Sequence, residues 1–292
     1  MTHFATRWAF VLLALLSFSC SSLKVNEDVF PNFGDGYFYA QLADAAYLDL
    51  PELETKLYEL GLALETSNKL VTERVQYFLA RDKNSGLQIV VIRGTDSIED
   101  AIVDARFAFV DDEVLEIRAH AGFDQAARRI ADELFHKLVR DANIAIAGHS
   151  LGGAVSVLLG LHLKKAGLGV ERIITFGQPK VMDRTAAVKY ASLPVLRYTR
   201  EKDIVPLVPP LSADHEHDWH IYWHVGDEIL LHPQDNSYSR LGADLSVLRG
   251  VTSYYDDLIK ARKLDAHSMS GYLVELEKRR HSSRLKELLD PE

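Results

Sequence analysis

The segment that most restricts the possible folds of this chain is Gly148-His149-Ser150-Leu151-Gly152-Gly153. It follows a short apolar stretch at 143–147, which reads as a buried strand, and leads into a longer one at 151–166, which reads as a helix. Turning from strand to helix within one residue strains that residue's backbone, and strand and helix then cross at close range. A Cβ at Gly148 or Gly152 would collide at the crossing, so glycine is a steric requirement there. The same turn lifts the Ser150 hydroxyl above the sheet. Backbone N–H groups at the helix start are then available to a developing negative charge. The flanking strand and helix, more than the bare spacing, carry this reading; the plain alternative is a serine that only caps the helix.

The rest of the chain supplies a setting for such a turn. Residues 44–64 read mainly as helix, with Leu48, Leu57, Leu60 and Leu64 as its apolar positions. Residues 71–80 and 87–92 are dense in Val, Ile, Tyr and Phe and read as two strands joined tightly through 82–86. A helix follows at 124–139, where Ala127, Ile130, Leu134 and Leu138 form a stripe; strands at 172–176 and 195–199 bracket a helix at 183–190. Alternating strand and helix predicts an α/β fold with a mostly parallel sheet covered on both faces. Nothing in the middle of the 292 residues reads as a linker, so we expect one domain at 36–292. The balance of 33 basic against 42 acidic side chains, a net charge of −9, argues against a nucleic-acid partner.

The single cysteine excludes an intrachain disulfide framework and a Cys-based metal site. Cys20 follows, after Ser19, an apolar run at 8–18, too short to span a bilayer but suited to the centre of a secretory signal. Ser19 before Cys20, with Ser21 and Ser22 after it, resembles the lipobox of bacterial lipoproteins, although Leu16 stands one position earlier than in that motif. We therefore expect a signal peptide at 1–19, lipidation of Cys20, and an N-terminal tether at 20–35. An ordinary secretory leader or a short uncleaved anchor are the alternatives. The expected destination is the bacterial envelope, the outer membrane before the inner, or otherwise a periplasmic or secreted state.

A serine hydroxyl is a weak nucleophile until an imidazole takes its proton, and the imidazole needs a carboxylate to fix its tautomer. In α/β-hydrolases the three occur in the order serine, acid, histidine. Asp203 is the acid candidate because it follows the 195–199 strand and precedes the stiff Val205-Pro206-Leu207-Val208-Pro209-Pro210 segment. A turn aspartate bonded to its own loop is the alternative. Seven histidines lie beyond it: His215, His217, His220, His224, His232, His267 and His281. Placement just before a late helix favours His267, with His232 next.

Several segments together carry a family likeness. Arg93-Gly94-Thr95, His120-Ala121-Gly122-Phe123, the Ser150 segment, Phe176-Gly177-Gln178-Pro179, Asp203-Ile204-Val205-Pro206 and the surroundings of His267 resemble, in this order, the class 3 lipase family. The resemblance implies an α/β-hydrolase fold and an activity among triacylglycerol lipases, related phospholipases and feruloyl esterases. It also implies Ser150 as nucleophile, Asp203 as acid and His267 as base. Thr95 takes the place of the family's oxyanion-hole residue, so its N–H would pair with that of Leu151. The alternative for Thr95 is a cap on a short helix beginning near Ser97. Trp219 to Leu231 resembles the family's late hairpin.

By the same likeness, the segment between Thr95 and His120 corresponds to a lid, with 96–116 as its acidic stretch. That stretch holds eight acids and one base, with Ile98, Ile102, Val103, Phe107 and Phe109 interleaved, so an amphipathic flap with an acidic outer face that disfavours anionic lipid is expected. A solvated charged face without gating is the alternative. His215-Glu216-His217-Asp218-Trp219-His220 reads as a polar loop in preference to a metal site, and 273–289 as an amphipathic helix packed on the domain. The resulting expectation is a serine hydrolase cleaving carboxylic esters of lipids through an acyl-enzyme on Ser150, at a membrane or lipid interface, without metal or cofactor. A phospholipase A or a lipid acyltransferase is the nearest alternative; a non-catalytic envelope lipoprotein binding acyl chains or a partner is one of another class.

Overall fold

The computed structural model describes residues 32–95, 109–209, 212–213, 219–246 and 264–289. By its internal contacts the chain divides into Met1–Phe30 and Pro31–Glu292. The first unit, with the expected leader and Cys20, lies outside the described residues.

Asn32 opens helix α1 (Phe33–Ala45) by accepting the Gly34 and Asp35 N–H groups, so the end of the expected tether is already helical. Asp49 caps α2 (Leu50–Glu59), which has Pro51 in its first turn. Three strands follow: β1 (Leu62–Leu70), β2 (Val75–Asp82) and β3 (Gln88–Ile92). Next come β4 (Phe109–Asp112), β5 (Ile117–His120), α3 (Ala121–Leu134), β6 (Ile144–His149), α4 (Leu151–Lys165) and β7 (Val170–Phe176). Then follow β8 (Met182–Asp183), α5 (Arg184–Lys189), β9 (Val195–Arg200), β10 (Ser212–Ala213), β11 (Trp219–His220), β12 (Tyr222–Trp223), β13 (Asp227–Leu231) and β14 (Tyr238–Leu241). A 3-10 turn, Leu264–His267, leads into α6 (Met269–Leu289).

Eight strands form the main sheet in the order β1-β2-β3-β6-β7-β9-β13-β14. β3, β6, β7, β9 and β13 run parallel, and the edge pairs are antiparallel. Alternate strand residues face opposite ways. Leu79, Val90, Ile92, Ile144, Ile146 and Ile173 meet Ala127 and Ile130 of α3 and Val155 and Leu158 of α4 on one face. Phe78, Ile89, Val91, Ala145, Ala147 and Ile174 meet Tyr39 and Leu42 of α1 and Tyr272 and Leu276 of α6 on the other. Full burial of each large apolar side chain contributes about 1.5–3 kcal/mol, and these two layers fix the sheet that presents the site. At one edge of the parallel strands the chain ends β3 before Thr95, β6 before Ser150, β7 before Gly177 and β9 before Asp203.

Three expectations need correction. The 44–64 segment is not mainly helix to its end: it closes on β1, an edge strand exposed along its middle, where the apolar pattern that would mark a strand is absent. Trp219 to Leu231 is not one hairpin. Its pieces join three different sheets, and the hairpin at the sheet edge is β13 with β14. Of the acidic 96–116 segment, 96–108 lies outside the described residues, and 109–112 is a strand paired with β5. Asp112 there is buried, facing inward and not to solvent. The 215–218 part of the histidine-rich loop is also outside the described residues. Among the described residues no helix is long and apolar enough to cross a membrane.

Candidate active site

Ser150 joins β6 to α4 with φ +56° and ψ −129°, a conformation that L side chains rarely adopt. Its N–H donates to the Phe176 carbonyl at 2.8 Å, and its carbonyl accepts from Gly153 at 3.0 Å, so the strained residue is fixed on both sides. The glycine requirement is met as expected. A Cβ on Gly148 would strike the Gly152 carbonyl, and one on Gly152 would strike the Ile92 carbonyl of β3. Leu151 is the first helical residue, so its N–H is among the donors that the helix leaves without an internal acceptor.

Asp203 and His267 meet across 64 residues of chain: Nδ1 of His267 donates to Asp203 Oδ2 at 2.9 Å and lies 3.0 Å from Oδ1. That bond leaves Nε2 as the ring's lone-pair nitrogen. Val205 N–H donates to Asp203 Oδ1 at 3.0 Å, and the Tyr272 hydroxyl donates to Oδ2 at 2.6 Å. Burial first, then the Asp203 charge, raises the Tyr272 pKa well above its ordinary value, so this hydroxyl remains a donor.

The pair and the serine share one cluster. Gly177, one residue beyond the carbonyl that holds Ser150 N–H, adopts φ +57°; a Cβ there would lie 2.7 Å from His267 Cε1 and 2.9 Å from Asp203 Oδ2. The His149 ring, next to Ser150, lies 4.6 Å from the His267 ring between centroids. Ser150, Asp203 and His267 are 1%, 2% and 4% exposed. Among the described residues Ser150 Oγ and His267 Nε2 have no hydrogen-bond partner, which is costly for buried polar atoms. Thr95 is half-buried at the end of β3, beside Gly94, whose Cβ would come within 3.0 Å of Ser150 Cβ. The structure thus gathers Ser150, Leu151, Asp203, His267 and Thr95 at one sheet edge. His232 is elsewhere, bonded to Ser239 Oγ, and His224 is buried against the Pro206 carbonyl.

Sequence reasoning missed Tyr47, Tyr272, Arg200 and the supporting part of His149. Their pairing is long-range and leaves no local spacing to read. A second buried polar group lies away from this edge. Asp112, Asp124 and His162 bring ligand-type atoms within 4.8 Å of one another. Arg128 reaches Asp112 at 2.9 Å and Asp124 at 2.8 Å, so a fixed guanidinium already supplies the positive charge that a cation would bring. Burial raises the Asp112 pKa; for Asp124 burial is outweighed by bonds from His162, Asp112 and Arg128, and its pKa falls.

Residues 89–213 match the family model "Lipase (class 3)". This segment is similar in sequence to the class 3 lipases. The lipase of Rhizopus niveus is 32% identical over 165 residues, covering 52% of this chain and 42% of that one, so the chain spans less than half the length of this relative. A secreted mono- and diacylglycerol lipase of Fusarium solani is 27% identical over 236 residues, covering 74% of this chain and 68% of that one. The crystal structure of the mono- and diacylglycerol lipase of Aspergillus oryzae superposes with a TM-score of 0.67 at 21% identity, covering 82% of this chain and 96% of that one. The fold is that of the α/β-hydrolases, and the family match and the fungal relatives together support the class 3 lipase family.

Proposed function

We propose that this protein is a carboxylic ester hydrolase acting on lipid esters, of the triacylglycerol lipase type. The observation that carries the reading is a serine strained to φ +56° whose unpartnered hydroxyl shares a buried cluster with a carboxylate-bound imidazole. Ser150 Oγ attacks the ester carbonyl while His267 Nε2 takes its proton; Asp203 stabilises the imidazolium. The Leu151 and Thr95 N–H groups receive the oxyanion, the alcohol leaves with the proton from His267, and water then resolves the acyl-enzyme. With the serine 1% exposed, a lipid ester reaches it only after part of its cover moves. Turnover of p-nitrophenyl esters of graded chain length tests this, with a fluorophosphonate probe as a second readout. Ser150→Ala should abolish turnover and labelling; residual turnover within about tenfold of the unaltered protein would place the nucleophile elsewhere.

The reading extends to export with lipidation at Cys20, supported by the apolar run and small residues around that cysteine. Fractionation of Cys20→Ser tests it: release into a soluble fraction is expected, and unchanged membrane retention would overturn it.

A further inference from the structure

His267 enters the site from a 3-10 turn only four residues long, Leu264–His267. So short a turn has few internal hydrogen bonds: the Asp265 carbonyl accepts from the Ser268 hydroxyl at 3.0 Å, and the Ala266 and His267 carbonyls are met by side chains from outside the turn. Two side chains from the parallel strands meet those carbonyls. Arg200, the last residue of β9, donates through its guanidinium to the Ala266 carbonyl at 2.8 Å, with the Asp265 carbonyl at 3.4 Å. His149, the last residue of β6, places Nε2 2.8 Å from the His267 carbonyl. A carbonyl only accepts, so Nε2 carries the proton, and Nδ1 accepts from the Tyr47 hydroxyl at 2.8 Å. Arg200 also touches the acid's support, because its backbone N–H donates to Tyr272 Oη at 3.2 Å and Tyr272 in turn holds Asp203. Gly271 belongs to the same arrangement: a Cβ there would run into the Arg200 guanidinium.

We propose that Arg200 and His149 are positioning residues that clamp three successive carbonyls, of Asp265, Ala266 and His267, and so set the direction of the base's Nε2. The proposal rests on His267 being the base, as read above. Its physical content is that the imidazole is aimed from both ends: Asp203 fixes the ring through Nδ1, and the clamp fixes the backbone that carries it. A turn held by one end alone could rotate the lone pair away from Ser150, and a displacement near 1 Å costs on the order of a hundredfold in rate. The Tyr47–His149–His267 chain also ties the turn to the residue beside the nucleophile, so base and serine move as a unit.

The test compares Arg200→Met and His149→Leu, which remove the donors, with Arg200→Lys and His149→Gln, which keep one. Steady-state kinetics on a soluble ester are paired with amide exchange across 264–272. Each donor-removing variant should lower kcat by about tenfold or more with KM within about twofold, and should speed exchange in that segment. The conservative partners should restore most of both. Should Arg200→Met fail to fold, Gly271→Ala displaces the guanidinium while keeping the arginine and should shift kcat in the same direction. Unchanged kcat and exchange in the donor-removing variants would overturn the clamp, as would losses that the conservative variants share in full. Absence of turnover in the unaltered protein would overturn the hydrolase reading alone; accelerated exchange would then still support the clamp, and unchanged exchange would overturn it.

Discussion

The two ends of the candidate proton relay are held in different ways. Ser150 is fixed by backbone: a strained φ/ψ pair, three main-chain hydrogen bonds and two glycines that let strand and helix cross. His267 is fixed by side chains gathered from β6, β9 and the loop that follows β9, separated from it by up to 118 residues. A site can therefore be rigid at both ends while only one end is written locally in the chain. The backbone end should fail by losing stability, and the side-chain end by losing rate.

Two glycines make the sharpest contrast. Gly152→Ala drives a methyl group into the Ile92 carbonyl, and neither strand nor helix can yield without disturbing the sheet, so a loss of about 3 kcal/mol or more is expected in chemical denaturation. Gly177→Ala meets side-chain atoms instead, 2.7 Å from His267 Cε1 and 2.9 Å from Asp203 Oδ2, at a φ that already disfavours alanine. Its kcat should fall on the order of a hundredfold through displacement of the pair, with a smaller change in stability. Equal stability losses in the two variants, with matching losses of kcat, would break the contrast.

The same division explains what could be read beforehand. The strand-Gly148-x-Ser150-x-Gly152-helix turn is legible because its constraint is steric and lies within five residues. The parallel order was legible because β6, α4 and the second half of β7 carry apolar runs that are buried. β1 was not, since an exposed edge strand has no face to mark, and Asp112 was misplaced because its partners, Asp124 and His162, lie far along the chain. His267 emerged from its order after Asp203 and from family likeness; the residues that aim it share no local pattern and appear only when the sheet assembles.

Acid provides a second separation, because each end leans on a buried neutral imidazole. His120 caps α3, the helix packed on the elbow helix α4, by accepting from Phe123 N–H at 3.4 Å, and burial lowers its pKa from 6.5 to about 4. Burial, then the nearby His267, pushes His149 well below its usual value too. A folded-state pKa below the unfolded one means that the unfolded chain takes up the proton first. The stabilisation is thus fully present above pH 6.5 and is lost as pH falls through that value toward 4; His120 alone accounts for about 3 kcal/mol. His120→Asn keeps a capping oxygen without the titration, so denaturation midpoints measured between pH 7 and 4 should fall less steeply than in the unaltered protein. An identical slope would remove His120 as the cause.

The smallest expected effect tests the side-chain end at its best-buttressed point. Tyr272→Phe removes the 2.6 Å donor from Asp203 Oδ2 but leaves His267 Nδ1 on the same oxygen and Val205 N–H on the other. A hydrogen bond to a charged group contributes about 1.5–3 kcal/mol, and each 1.36 kcal/mol in the barrier is about tenfold in rate. Since two donors remain, the lower figure applies, and kcat should fall by about tenfold with KM nearly unchanged. Melting should fall only modestly, because the Arg200 N–H loses the Tyr272 oxygen as acceptor but the phenyl ring still fills the same core between Phe176 and Leu276. A loss confined to stability would instead make Tyr272 part of the packing that backs the sheet and leave the acid oriented by His267 and Val205 alone.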